Sequence, residues 1–269
     1  AAGDSVFDDL TLHVPAGQRV GLVGKSGSGK TTLTKLLLRL DDVQGGRVLV
    51  DGQDVSRCTQ QSLRRQVAYV PQEALLFHRS IRENIAYGRP GATRAEIEEA
   101  ARLAGADAFV RALKDGYDTY VGERGVKLSG GQKRRVAIAG VIAMEPEVLI
   151  LDEPTAGLDP VGREEILGNI RAYRAAKNAA VLMVSHSMED VARLTDRLLV
   201  MNGSRLAMDA APGEVFEHLQ ELLDMGLSIP KVTQVFLRMR SLGVDVKNVY
   251  TIDQAVAELL RLKEGKGVC

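Results

Sequence analysis

The chain has 269 residues, of which 45% are hydrophobic, so it can bury the core of one or two domains. Its 35 Lys and Arg residues balance 35 Asp and Glu residues, and a net charge of zero argues against nucleic acid as the main partner. Cys58 and Cys269 form no metal or disulfide pattern and fit a reducing compartment, and we expect no transmembrane segment because no apolar run reaches about 18 residues.

The first predicted elements are an alternating segment and a strand that leads into a glycine-rich loop. The alternation in residues 6–12 makes Phe7 a core residue. The apolar run 20–23 predicts a strand, and the residues after it fit the spacing G-x-x-x-x-G-K-[ST] of a phosphate-binding loop. The predicted nucleotide-binding residues are Gly24, Lys25, Ser26, Gly27, Ser28, Gly29, Lys30, Thr31 and Thr32. The alternative is a glycine- and serine-rich turn that matches by chance.

The chemistry of this loop explains its residue types. Glycine lets backbone N–H groups approach phosphate oxygens closely, Lys30 offers a positive charge to the β- and γ-phosphates, and Thr31 offers a hydroxyl to Mg²⁺. A helix is predicted directly afterwards, and its N-terminal dipole would face the anion. The apolar face of this helix would contain Leu33, Leu36, Leu37 and Leu40.

The next predicted elements are short. Asp51 and Gly52 predict a hairpin turn, and residues 67–70 predict a strand. Residues from about 80 to 140 predict a helical region, in which residues 82–84 form a short helix and residues 93–96 form a capping box.

A second predicted anion site lies at the end of this region. Ser129, Gly130 and Gly131 open a helix that continues through residues 136–139, so free N–H groups and a serine hydroxyl face the same point. A serine followed by glycines is also a common helix start. We interpret the basic run 133–135 on this helix as a solvated face.

An apolar run bounded by Pro146 and Pro154 predicts a buried parallel strand that ends in Asp152 and Glu153. Ligands of open α/β sheets bind at the carboxyl ends of the strands. Asp152 can therefore hold Mg²⁺ through a water, while Glu153 polarises the water that attacks the γ-phosphorus. The alternative is that the two acids only cap the next helix.

The remaining chain is predicted to contain strands at 181–184 and 197–201, which alternate with helices, so the sheet there should be largely parallel. From about Pro212 onward the chain is predicted to be helical, with Pro230 at a helix start and a capping box in residues 251–254.

Three motifs occur in this order: the phosphate loop, the run Leu-Ser-Gly-Gly-Gln at 128–132, called the signature run below, and the pair Asp152–Glu153. Together they resemble the motifs of the ATP-binding cassette (ABC) ATPases. The resemblance implies an α/β P-loop NTPase fold with a RecA-like core, an N-terminal antiparallel β-subdomain, an inserted helical subdomain and a small C-terminal helical module. It implies an ATPase domain at residues 1–211, with a helical signature subdomain at about 80–140, and a helical module at residues 212–269.

The same resemblance implies ATP and Mg²⁺ as cofactors and a dimer as the working form. In this family the phosphate loop of one subunit faces the signature run of the other, so two ATP molecules lie between the two chains, and identical chains would form an isologous interface. The signature residues that would contact the partner's nucleotide are Ser129, Gly130, Gly131 and Gln132.

Three smaller features carry family roles over to this chain. Gln72 matches the glutamine that reaches Mg²⁺ and reports to the membrane subunit, Asp159 lies in the loop that crosses the dimer interface, and His186 matches the switch histidine near the γ-phosphate. By itself, His186 after a strand would be interpreted as a polar cap. The implied catalytic residues are Glu153, His186, Lys30 and Gln72, and the implied metal-binding residues are Thr31, Gln72 and Asp152.

The resemblance also implies partners and location. The chain would drive a separate transmembrane permease from the cytoplasmic face of the membrane, as a homodimer or as a heterodimer with a paralogous ATPase subunit, and without a nucleic-acid partner. Residues 80–88 and 119–125 resemble nucleotide-binding domains of ABC exporters. Residues from 133 onward resemble ATPase subunits of energy-coupling-factor uptake systems for vitamins and metals, whereas exporter domains usually carry arginine where Gly140 stands.

A chain with both sets of features resembles a hybrid whose seam lies near residues 126–132. Uptake is the first interpretation, and export is the alternative. A soluble cassette enzyme acting on nucleic acid or ribosomes, and a folded hybrid without a biological partner, are further alternatives. Cassettes usually place an aromatic side chain on the adenine, and Phe7 is the only aromatic residue before the loop, so a missing platform would weaken ATP binding.

Overall fold

The computed structural model describes residues 6–122 and 127–265. Residues 123–126, which include part of the exporter-like segment and of the seam, and Cys269 lie outside these ranges. The described chain forms two compact units: the first contains residues 6–14, 19–30 and 184–265, and the second contains residues 15–18, 31–122 and 127–183. Within the described ranges, no helix is both long and apolar enough to cross a lipid bilayer.

The strands of the described chain are β1 (Arg19–Gly24), β2 (Leu49–Val50), β3 (Gln53–Asp54), β4 (Val67–Val70), β5 (Val148–Asp152), β6 (Ala180–Val184), β7 (Arg197–Asn202) and β8 (Arg205–Ala210). The first helices are α1 (Lys30–Leu37), α2 (Gln60–Gln66), α3 (Ile81–Ala86), α4 (Arg94–Leu103), α5 (Asp107–Arg111) and α6 (Gly130–Ile142). The later ones are α7 (Pro160–Lys177), α8 (Met188–Leu194), α9 (Pro212–Val215), α10 (Leu219–Asp224), α11 (Lys231–Ser241) and α12 (Ile252–Gly265). Single 3₁₀ turns occur at Val55–Arg57 and Gly116–Asp118.

The first unit contains a small sheet in which β7 is the central strand. β1 pairs with β7 in parallel, with Leu22 opposite Leu199, and β7 pairs with β8 antiparallel. The side chains of Leu22 and Leu199 are fully buried, whereas those of β8 alternate between exposed and half-buried. The predicted strands at 20–23 and 197–201 are therefore confirmed. β8 was not predicted, although its alternation of exposed and half-buried residues is typical of a strand with one face in solvent.

The C-terminal helices of the first unit have an apolar cluster of their own. Phe236, Val246, Val249 and Ala255 are buried together. The predicted capping box is present, because Thr251 Oγ1 accepts a hydrogen bond from the Gln254 N–H and the Gln254 side chain accepts one from the Thr251 N–H. Pro230 occupies the N-cap position of α11. The boundary between residues 211 and 212 stays a prediction.

The second unit contains β4, β5 and β6 side by side in that order. β4 and β5 are parallel, with Val70 opposite Leu151, so the carboxyl ends of both strands lie at one edge. The expected antiparallel β-subdomain is represented in this unit by the hairpin β2–β3, whose turn residues Asp51 and Gly52 have φ angles of 49° and 76°. Two consecutive positive φ angles are typical of a type I′ turn, and this confirms the predicted hairpin.

The helical region of the second unit packs α3 and α4 against α6. Capping boxes open α3 at Ser80 and α4 at Thr93, and the second of these was predicted. Gly140 lies where α6 approaches α3: a Cβ built on Gly140 would lie 3.2 Å from the Asn84 carbonyl oxygen. A side chain at this position would therefore require the backbone of α3 to shift by a few tenths of an ångström.

One prediction about local structure was wrong. The helix after the phosphate loop ends at Leu37, and Leu40 lies beyond it with 54% of its surface exposed. The intervening Arg39 has a φ of 49°, and this left-handed conformation terminates the helix. The alternation in residues 6–12 predicted Phe7 as a core residue, and Phe7 is half-buried in a segment that forms no strand.

Candidate functional site

The phosphate loop of the first unit begins where β1 ends. Gly24, Gly27 and Gly29 have φ angles of 157°, 81° and 100°. Residues with a Cβ rarely adopt these angles, so the conformation of the loop requires glycine at these positions. The Lys30 ammonium group lies inside the loop, 2.5 Å from the Gly24 carbonyl oxygen and 3.0 Å from the Lys25 carbonyl oxygen. The loop therefore already holds a positive charge where a bound phosphate would need one.

Phe7 packs against this loop. A Cβ built on Gly29 would lie 2.7 Å from the Phe7 ring, so the ring touches the backbone of the loop. This contact agrees with the prediction of a packing role for Phe7. The ring atoms nearest to that Cβ are Cε1 and Cζ, so the edge of the ring lies against the loop.

The acidic strand end lies in the second unit. Asp152, the last residue of β5, is half-buried and accepts a hydrogen bond of 2.9 Å from the Tyr69 hydroxyl. Burial, followed by this hydrogen bond, raises the pKa of Tyr69, so the hydroxyl remains a donor at neutral pH. Glu153 follows with 8% of its surface exposed and a φ of 46°. The alternative that these acids only cap the next helix is not supported, because Asp159 is the N-cap of α7.

Gln72 lies near the same sheet edge as Asp152. It follows the end of β4 by two residues, and β4 pairs in parallel with β5. The side chain of Gln72 is exposed, while its backbone carbonyl accepts a hydrogen bond from Arg134. Thr31, in the first turn of α1, is exposed, and Thr32 beside it is half-buried.

The predicted metal-binding residues offer a hydroxyl, an amide and a carboxylate. These oxygen ligands suit Mg²⁺, which usually keeps several waters and takes few protein ligands. In the part of the chain that the structure describes, no group of three His, Cys, Asp or Glu side chains could hold a metal ion. A magnesium ion at Thr31, Gln72 and Asp152 would therefore depend on nucleotide phosphates and water for its remaining ligands.

The signature run forms the predicted helix start. Ser129 caps α6: its hydroxyl accepts a hydrogen bond from the Gln132 N–H at 3.2 Å, and the Gln132 side chain accepts one from the Ser129 N–H at 2.9 Å. Ser129 and Gly130 are exposed. They border a cavity of about 450 Å³, which is lined by Phe109, Ser129, Gly130, Gly131, Gln132, Arg135, Gly157, Leu158, Asp159 and Gly162. The structure thus brings Asp159 and the signature residues to one cavity.

Asp159 and His186 occupy different settings. The Asp159 carboxylate accepts a hydrogen bond of 3.0 Å from the Gly162 N–H, so one oxygen is used in capping α7. His186 belongs to the first unit, where it follows the fully buried Ser185 and is exposed. Its predicted role at the γ-phosphate stays a prediction.

Arg134 is the residue that the sequence interpretation misjudged. It was predicted to lie on a solvated face, yet only 8% of its surface is exposed, and its guanidinium group donates to backbone carbonyls of Gln72, Pro154 and Ala156. The sequence spacing could have indicated this burial. Arg134, Ile138 and Ile142 are four residues apart and therefore lie on one face of the helix, and both isoleucines are buried.

Comparison with known proteins places this geometry in a family. The family model described as "ABC transporter" matches residues 7–156. The energy-coupling factor transporter ATP-binding protein EcfA2 of Clostridium tetani is 41% identical over 271 residues, covering 97% of this chain and 91% of the relative. EcfA2 of Clostridium perfringens is 40% identical over 261 residues, covering 95% of this chain and 90% of the relative.

Exporters are similar to a shorter part of the chain. The ATM1-type heavy metal exporter of Novosphingobium aromaticivorans is 45% identical over 202 residues, which cover 75% of this chain and 33% of the exporter. Among solved structures, a bacterial Atm1-family ABC exporter with ATP bound has a TM-score of 0.76 and 42% identity, covering 82% of this chain and 38% of that one. The chain is therefore similar both to energy-coupling-factor ATPases and to exporters, as the motifs predicted.

Proposed function

This chain belongs to the ABC transporter family, whose ATP-binding members are ATPases, and from that premise we propose that it dimerises around two ATP molecules and drives a separate membrane permease. The observation that carries the proposal is the presence of two anion-binding helix starts in one chain. One is the phosphate loop with Lys30, and the other is the exposed N-terminus of α6 at Ser129. We propose that, as the family resemblance implies, each nucleotide is bound by the phosphate loop of one chain and by the N-terminus of α6 of the other.

Within the site, the residues take the roles proposed from their motifs. Residues 24–32 bind the triphosphate, and Thr31, Gln72 and Asp152 hold Mg²⁺, directly or through water. Glu153 polarises the attacking water, and His186 contacts the γ-phosphate. The signature residues, with Asp159 beside them, close the site from the partner chain.

We propose uptake of the energy-coupling-factor type as the transport direction. The similarity to EcfA2 proteins spans nearly the whole of both chains and includes the C-terminal helices, whereas the exporter match covers a third of the exporter. Export is the second candidate, because the higher identity of 45% belongs to the exporter match.

Dimer closure can be tested by placing a negative charge at the signature. Gly130→Asp should leave the fold intact, because no atom lies within 4 Å of a Cβ built on Gly130 outside its own helix backbone, and an acidic residue suits a helix N-terminus. The carboxylate would repel the γ-phosphate of the partner's ATP. In a Glu153→Gln background, we expect light scattering to find a monomer in Mg·ATP, with ATP affinity of the monomer within about twofold of the parent.

The matched control is Gly168→Asp on α7, where a built Cβ also meets open space. This variant should dimerise like its parent. If Gly130→Asp dimerised equally well, the signature would not contact the partner's nucleotide and the proposed dimer would be wrong.

The permease class can be tested by co-purification. The chain should be retained by the membrane subunit of an energy-coupling-factor system when the two are co-expressed, and it should not be retained by the isolated transmembrane domain of an exporter. Retention by the exporter domain alone would favour export. The ATPase rate with and without each partner in detergent gives a second readout of the same pairing.

A further inference from the structure

The guanidinium group of Arg134 joins three segments of the second unit. Its Nη1 donates to the Pro154 carbonyl oxygen at 3.1 Å and also to the Ala156 carbonyl oxygen, and its Nη2 donates to the Gln72 carbonyl oxygen. Arg134 itself lies on α6, five residues after Ser129. One side chain therefore connects the signature helix, the loop directly after Glu153 and the segment that contains Gln72.

The chemistry of these contacts is specific to arginine. A buried cation is costly unless its donors are satisfied, and here three carbonyl dipoles point at one planar group. Burial lowers the pKa of the Arg134 guanidinium, and the negative charge of Glu153 opposes this shift. A lysine would keep the charge, but its single nitrogen could not reach the carbonyl groups that the two Nη atoms of Arg134 bind in separate segments.

The position of these carbonyls connects Arg134 to hydrolysis. Pro154 is the residue next to Glu153, so a bond to the Pro154 carbonyl restrains the backbone that aims the Glu153 carboxylate. The bond to the Gln72 carbonyl restrains a segment whose side chain is otherwise exposed. Ser129 and Arg134 are part of the same helix, and their Cα atoms lie about 7.5 Å apart along its axis.

We propose that Arg134 is a positioning residue for ATP hydrolysis. Its hydrogen bonds hold the loop after Glu153 and the segment that contains Gln72 in fixed positions relative to α6. When the partner's nucleotide binds at Ser129, it fixes the position of α6. The hydrogen bond from Arg134 to the Pro154 carbonyl then fixes the position of the loop that follows Glu153. The proposal rests on the proposed ATPase dimer and adds to it a residue outside the motifs. It predicts an effect on turnover rather than on nucleotide binding, because none of the three carbonyls belongs to the phosphate loop.

The test is the steady-state ATPase of Arg134→Lys. We expect kcat to fall about 10- to 100-fold, the effect of misplacing a catalytic group by about 1 Å, while KM stays within about twofold of wild type. Arg174→Lys is the matched control: Arg174 also donates to a backbone carbonyl, that of Gly17 at 3.1 Å, but on α7. A general loss of packing would affect both variants alike, whereas a positioning role lowers kcat in Arg134→Lys alone.

A second variant and a binding measurement keep the outcomes separate. Arg134→Gln removes the charge as well as the fork, so it should lower kcat at least as much as Arg134→Lys, with ATP binding measured by titration calorimetry unchanged. Wild-type kcat in either folded variant would overturn the positioning role, as would equal losses in kcat and in ATP affinity. A failure of both variants to fold, seen as loss of the cooperative thermal transition, would also overturn it, because Arg134 would then be needed for the fold itself. If the wild-type protein hydrolysed no ATP, the proposed function would fail instead.

Discussion

Replacing Glu153 by Gln is expected to lower the ATP turnover number about 10²- to 10⁴-fold, which is the usual contribution of a general base. The substitution preserves the size of a side chain that is only 8% exposed, so the fold and the nucleotide-binding loop should remain intact. Release of inorganic phosphate measures turnover, and titration calorimetry with ATP measures binding. ATP affinity should not decrease, because the phosphate loop belongs to a different segment of the chain.

The same variant should also accumulate the ATP-bound dimer, since the closed state can no longer decay by hydrolysis. Light scattering coupled to size exclusion should show twice the monomer mass of 29.1 kDa in Mg·ATP and a monomer without nucleotide. The matched control is Glu147→Gln, the same change directly before the opposite end of β5, where the side chain is exposed. It should hydrolyse ATP at the wild-type rate. Wild-type turnover in a folded, nucleotide-binding Glu153→Gln variant would exclude Glu153 as the base.

Replacing Lys30 by Met is expected to weaken ATP binding about 10- to 100-fold, because hydrogen bonds to charged groups contribute about 1.5–3 kcal/mol. The Lys30 ammonium group lies within hydrogen-bonding distance of the Gly24 and Lys25 carbonyl oxygens, at the centre of the loop. Methionine keeps the unbranched stem and removes only the charge and the donors. Titration calorimetry with Mg·ATP gives the dissociation constant directly.

Lys35→Met provides the control for this change. Lys35 is exposed in the last turn of the same helix, so its replacement alters the charge of the protein equally but leaves the loop untouched. It should bind ATP with wild-type affinity. If Lys30→Met and Lys35→Met bound ATP equally, the phosphate loop would not be the site of the triphosphate.

The parts of the fold that local rules govern could be predicted from the sequence. The capping boxes at Thr93 and Thr251 depend on residues three positions apart, and the strands β1 and β5 are continuous apolar runs, so their signals are contained in short windows. The hairpin at Asp51 and Gly52 is equally local, since it needs only two residues that tolerate positive φ.

The parts that failed depend on distant partners or on unusual backbone conformations. Arg134 is buried because carbonyls 20 and 62 residues away accept its hydrogen bonds, and no pattern within α6 contains them. The early end of α1 follows from the positive φ of Arg39, a residue type that seldom adopts it. The strand β8 is a different case, because its alternation is a local strand signal that was overlooked, and its antiparallel pairing with β7 shows it to be a strand.

At Glu153, the backbone conformation favours glycine, whereas the proposed role in hydrolysis requires a carboxylate side chain. A residue with a Cβ has about 1–2 kcal/mol of unfavourable energy at such a φ angle, which glycine would not have. Selection for thermostability alone would therefore replace this glutamate, whereas the role proposed for Glu153 in hydrolysis predicts that selection for turnover keeps it. Stabilised variants of this protein obtained by directed evolution should therefore be assayed for phosphate release, because we expect a substitution of Glu153 that raises the melting temperature to lower the ATPase rate.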